Sequence, residues 1–110
     1  MLLKNSSLRT SAPIFAALGD ETRLRLIAVL CAGGAVSIAQ LTSGTEITRQ
    51  AVTKHLQVLA DAGLVRDVKV GRERLWEFDP AQLEEARRSL EMIALQWDEA
   101  LQKLKIAVER

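Results

Sequence analysis

The chain has 110 residues, 48% of them apolar and 26% charged, with a formal net charge of +1. Such a chain supports one globular domain with one core, and its near-neutral balance excludes non-specific coating of DNA or membranes. No apolar run approaches the roughly 20 residues that span a bilayer, no secretory leader is expected, and the single Cys31 cannot form an internal disulfide, so a cytoplasmic, reducing setting is expected.

The charge is unevenly spread. Residues 1–74 hold ten Lys/Arg and six acids, a net +4, whereas residues 75–110 hold five and eight, a net −3. This suits a dimer that reads a specific anionic site better than a protein that binds polyanions indiscriminately.

Residues 1–10 are polar and predict a flexible start. Ser11-Ala12-Pro13 predicts the opening of a short helix, with Ser11 as cap, Pro13 in the first turn and Gly19 as the stop. Asp20 predicts the cap of a second helix, in which Leu24, Ile27, Ala28 and Leu30 or Cys31 form the buried stripe. Cys31 is read there as a small core residue, with a redox role the less favoured alternative. Ala32-Gly33-Gly34 ends that helix, and Val36–Thr42 predicts a third, short one. Ser43-Gly44-Thr45-Glu46 is a turn, with Ile47 anchoring it to the core and Thr48 capping the helix that follows.

In that fourth helix Val52, Leu56 and Leu59 recur on one side of a 3.6-residue period. The other side carries Arg49, Gln50, Thr53, Lys54 and Gln57, two cations and three neutral hydrogen-bonding groups with no acid between Thr48 and Leu59. Such side chains suit an anionic partner with readable edges: Arg and Lys reach guanine, Gln pairs with adenine, Thr touches phosphate or a thymine methyl. The spacing alone also fits a plain amphipathic helix. Two short helices around a glycine-bearing turn, the second with a cationic, amide-rich outer face, form a helix-turn-helix pattern.

Gly63 closes this helix, and the period then changes. Val68-Lys69-Val70 and Arg74-Leu75-Trp76-Glu77-Phe78 alternate about Gly71-Arg72-Glu73, which predicts a two-stranded hairpin with Lys69, Arg72 and Arg74 at a cationic tip. The tip arginines fit either a wing that touches a partner or a structural ribbon with solvated charges. Asp79-Pro80 opens the last helix, with Gln82 reaching back to the cap. Leu83, Leu90, Trp97 and Leu104 recur every seven residues, and Ala86, Ile93, Ala100 and Ala107 form a second such row. Together with Leu101 they make an apolar seam about four heptads long. The seam could fold back on its own domain or pack on a partner, and a homodimer is the favoured use, joined by the first helix. The expected division is therefore 1–10 as start, 11–79 as the winged unit and 80–110 as the dimerisation helix of one domain.

These segments resemble a known family. Leu18-Gly19-Asp20-Glu21-Thr22-Arg23-Leu24-Arg25-Leu26 is similar to the opening of ArsR-type winged-helix repressors. Thr48–Leu59 resembles their recognition helix, and Ala62-Gly63-Leu64-Val65 with Gly71-Arg72 resembles the start and tip of their wing. The resemblance covers about residues 12–110, with the blocks in the family's order. It implies a mainly α fold with a two-stranded β-hairpin wing and a long C-terminal dimerisation helix. It further implies a homodimeric regulator of transcription, usually a repressor, on a double-stranded DNA operator. It places Thr48, Arg49, Gln50, Thr53, Lys54 and His55 at the operator, with Gln57 beside them on the same helix and Arg72 and Arg74 on the wing. His55 borders the apolar face, so a packed or backbone-bonded role competes there. Where many metal-sensing members carry Cys-Val-Cys, this chain reads Ser37-Ile38-Ala39, and its last helix has no His. No metal site and no cofactor is expected, which leaves an unidentified small-molecule effector, Cys31 chemistry, a partner, or nothing beyond the protein's own concentration as what sets release.

An enzyme is disfavoured: there is no glycine-rich phosphate loop, and a His55–Cys31 pair would sit on apolar helix faces, so no catalytic residue is expected. The alternative that stands is a winged-helix module that binds protein or RNA through the same face.

Overall fold

The structure, a computed structural model, describes residues 5–109. Five helices and three short strands follow in the order α1 (Asn5–Leu18), α2 (Glu21–Gly33), β1 (Val36–Ser37), α3 (Ile38–Ser43), α4 (Arg49–Asp61), β2 (Val65–Val70), β3 (Glu73–Phe78) and α5 (Pro80–Glu109).

Helix ends are set by local chemistry. The Asp20 carboxylate accepts the Arg23 N–H at 3.0 Å and starts α2. Ser37 and Gln40 form a reciprocal capping box at α3, with bonds of 3.1 and 2.9 Å. The Thr48 hydroxyl accepts the Ala51 N–H at 3.1 Å and starts α4, and the Asp79 carboxylate accepts the Ala81 N–H at 3.1 Å beside Pro80. Each bond satisfies one of the orphan donors of a first turn.

Four expectations are corrected. First, α1 begins at Asn5, not Ser11; Met1–Lys4 of the expected flexible start lie outside the described residues. Ser11 is therefore no cap but a buried residue whose hydroxyl lies 2.6 Å from that of Ser89 on α5. Pro13 sits in the helix interior on the exposed side, where the missing N–H forgoes one helical bond while Ser11, Ile14 and Ala17 are buried beside it. Second, the buried stripe of α2 is Leu26, Ile27 and Leu30, and Leu24, Ala28 and Cys31 are exposed. Third, Val36 and Ser37 form a strand rather than the first turn of a helix, pairing antiparallel with Trp76 and Leu75 of β3. The sheet thus has three strands, in the order β1-β3-β2. Fourth, Gln82 does not reach back to the cap; its side chain lies where a Cβ on Gly63 would stand.

Val52, Leu56 and Leu59 of α4 meet Leu26, Ile27 and Leu30 of α2, Leu41 of α3, and Leu64, Val65 and Trp76 of the sheet in one core. α1 packs along α5, where Ala86 and Ser89 are buried. The Trp76 indole N–H is buried without a partner among the described residues, at a cost of about 1–3 kcal/mol that the burial of the ring offsets. Beyond Ser89 the C-terminal helix leaves the core. The radius of gyration is 18.3 Å and the long axis 67 Å, against about 13 Å expected for a compact domain of this size.

Two positions need glycine. Gly71, at φ 63°, opens a two-residue turn between the paired Val70 and Glu73, as a tight hairpin requires. Gly63, at φ 77°, reverses the chain after α4, and a Cβ there would stand 2.7 Å from the Gln82 Cγ. Gly63→Ala should destabilise the fold by about 1–2 kcal/mol through left-handed strain, with a further part from the Gln82 contact. Urea unfolding should show Gln82→Ala recovering only that second part in the double variant.

Candidate nucleic-acid interface

α4 is fixed by its inner face. Val52, Leu56 and Leu59 are each 0% exposed, so rotation of the helix would drag large apolar side chains into water at about 1.5–3 kcal/mol each. The opposite face is thereby held outward: Thr48, Arg49, Gln50, Thr53, Lys54 and Gln57 are all exposed. Two of these have partners of their own. The Thr53 hydroxyl donates to the Arg49 carbonyl at 2.8 Å, and the Gln57 amide donates to the Asp61 carboxylate at 2.8 Å.

His55 sits differently. It is half-buried, and its Nδ1 lies 3.3 Å from Arg23 Nη1 and 3.9 Å from an Asp20 carboxylate oxygen. A guanidinium only donates, so Nδ1 accepts and the ring proton belongs on Nε2. Arg23 also donates from Nε to the Ala17 carbonyl at 2.5 Å and from Nη2 to the Ala16 carbonyl at 3.5 Å. One side chain thus joins the end of α1, the start of α2 and the middle of α4. Sequence reading assigned Arg23 no role of its own, although it lies within the Leu18–Leu26 segment that carries the family resemblance. The Arg23 backbone N–H, with the Arg23 guanidinium nearby, holds the Asp20 carboxyl below the ordinary carboxylate range.

The wing arginines also separate. Arg74 donates to Asp67 at 2.8 Å and its guanidinium stands 5.2 Å from the Trp76 ring centroid, which ties it to the sheet. Arg66 bonds Glu77, its cross-strand neighbour, at 2.7 Å. Arg72 at the tip and Lys69 beside it form no ion pair among the described residues, nor do Arg49 and Lys54 on α4. Arg9, Lys103 and Lys105 are likewise without one, whereas Arg25, Arg66, Arg74, Arg87 and Arg88 all have acid partners. The outer face of α4 and the wing tip therefore offer uncompensated cations beside neutral amides and hydroxyls.

The seam on α5 divides into two parts. Leu83 packs on the core of its own domain. Leu90, Ile93, Trp97, Leu101 and Leu104, on the same helical stripe, are exposed, Trp97 by 64%. Among the described residues no three His, Cys, Asp or Glu side chains converge as a metal site would require, and no helix is long and apolar enough to cross a membrane.

Comparison with known proteins matches residues 18–68 to a family described as a helix-turn-helix domain. The chain is 34% identical over 96 residues to the HTH-type transcriptional regulator Rv2034 of Mycobacterium tuberculosis, covering 87% of this chain and 86% of that one. It is 36% identical over 62 residues to the arsenical resistance operon repressor of Bacillus subtilis, covering 56% and 59%. Among solved structures, an ArsR-like transcriptional regulator from Rhodococcus sp. RHA1 superposes with a TM-score of 0.79 at 37% identity, over 93% of this chain and 95% of that one.

Because the Asp20 carboxyl titrates below its unfolded value, its contribution to stability is present above that value, about pH 4, and is lost as pH falls through the folded one. Asp20→Asn keeps the cap and removes the charge. Urea midpoints measured from pH 6 to pH 2 should fall less steeply for the variant, and parallel curves would exclude this role for Asp20.

Proposed function

This chain belongs to the ArsR-type family of winged helix-turn-helix transcriptional regulators, and from that premise we propose that it is a homodimeric repressor that binds an inverted-repeat operator in double-stranded DNA. The carrying observation is the outer face of α4, which is exposed, acid-free from Thr48 to Leu59 and supplied with unpaired Arg49 and Lys54. In the complex α4 lies in the major groove. Arg49, Gln50 and Thr53 read base edges, and Thr48 and Lys54 hold phosphates. Gln57 stands at the far end of the same face, where contact with DNA would release it from Asp61. His55 contributes its Nε2 proton from the edge of the face, held in place by Arg23. On the wing, Arg72 reaches flanking phosphate or the minor groove, and Arg74 follows at the cost of its contact with Asp67.

The exposed seam of α5 supplies the dimer: Leu90, Ile93, Trp97, Leu101 and Leu104 pack on the same residues of a second copy, with α1 alongside and Leu83 bridging to the core. An uncovered stripe of this length is costly on a monomer. The two-fold axis sets two α4 helices on one DNA face, with half-site centres about 10 bp or a multiple apart. A dimer seated on a promoter excludes polymerase, so occupancy rather than chemistry is the activity, and the cytoplasm is where it acts.

Electrophoretic shift with an inverted-repeat duplex tests this. If each subunit neutralises three or four phosphates, log K against log salt should fall with a slope of about −5 to −7, and a slope near zero would refute operator binding. Arg49→Ala should weaken binding by about 1–3 kcal/mol and relax one operator position. For the seam, the Leu90→Glu/Leu104→Glu variant should sediment at half the parent's mass, and an unchanged mass would mean that α5 does not carry the dimer.

A further inference from the structure

A groove of about 750 Å³ opens between α2 and the turn that joins α3 to α4. Its lining is mostly apolar, with Leu26, Val29, Leu41 and Ile47 along it, and carries two charged residues, Arg25 and Glu46. Val29 is 49% exposed, turned outward because Leu26, Ile27 and Leu30 take the buried stripe of α2. The volume lies within the roughly 300–1,000 Å³ usual for small-molecule sites, which combine apolar walls with a few polar groups.

The two charges differ. Arg25 is engaged by Glu21, one turn back on α2, at 3.2 Å. Glu46 has no ion pair among the described residues. An anionic ligand would share Arg25 with Glu21, whose charge already offsets it, and would still meet the Glu46 carboxylate. A cation meets a carboxylate that nothing else occupies.

We propose that this groove binds a small organic cation, an apolar body with one protonated amine, the amine on Glu46 and the body along Val29, Leu41 and Ile47. No covalent step is involved. Glu46 and Ile47 directly precede Thr48, the cap of α4, so occupancy of the groove acts on the setting of α4. That consequence rests on the DNA binding proposed above, whereas binding of the amine does not.

The test is a titration of the full chain, without DNA, followed by amide shifts in 1H–15N correlation spectra. The probes are octylammonium, octanoate and octanol. Saturable shifts are expected at residues 25–29 and 41–48, with octylammonium bound about two- to fivefold more tightly than octanoate, the scale of an exposed charge pair. Glu46→Gln, at an exposed position, should keep the parent spectrum and the octanol affinity while abolishing the preference for the amine. Scattered or absent shifts, equal binding of octanoate, or a preference that survives Glu46→Gln would overturn the site. With operator duplex added, octylammonium should change DNA affinity in the parent at a lower concentration than in Glu46→Gln. Unaltered DNA affinity with amine binding intact overturns the link to α4 alone. Absence of DNA binding with the titration intact counts against the operator function and leaves the groove standing.

Discussion

Val52, Leu56 and Leu59 of α4 are sealed from solvent, and what the rest of the molecule presents follows from that seal. The three side chains meet α2, α3 and the sheet at once, so α4 has one rotational setting. A helix held this way can present a face of cations, amides and hydroxyls at little cost, because its setting comes from the buried face, with the Thr48 cap as the outer face's main contribution. The short helix α3, with its own capping box, and the turn through Ile47 bring the chain to Thr48 at a fixed place, so the first turn of α4 is fixed as well.

Arg23 acts on the same helix from its other border. By donating to the carbonyls of Ala16 and Ala17 and standing against His55, it links α4 to the end of α1. Since α1 lies along α5 through the buried Ser11–Ser89 contact, the helix that carries the seam and the helix with the cationic face share one mechanical path. Any change in how α5 is packed has a polar connection, and not only an apolar one, through which to reach α4.

Much of this was legible in the sequence, for a consistent reason. The caps Asp20, Thr48 and Asp79, the stop at Gly63, the alternation through Trp76 and Phe78, and the seven-residue rows of α5 are all local patterns. What was not legible depends on partners far away in the chain. β1 is two residues long and exists only because Val36 and Ser37 bond to β3. Residues 24–31 are apolar except Arg25, so periodicity could not say which side of α2 is buried, and Cys31 and Leu24 were set on the wrong one. Pro13 imitated a helix start, although the helix already runs through Asn5–Leu18 and the proline sits on its exposed side. The site residues of α4 were visible as a face. That His55 meets Arg23 and that Arg74 is tied to Asp67 and Trp76 required the fold.

The two tryptophans occupy opposite environments: Trp76 is 3% exposed under the wing and Trp97 is 64% exposed on the free half of α5. Indole emission moves to shorter wavelength as water is removed from the ring, so each reports a separate event from within the native chain. Trp76 emission follows the melting of the sheet, and Trp97 emission follows whatever comes to cover the projecting helix. Unfolding and self-association can thus be resolved optically in one cuvette, without a dye or a tag.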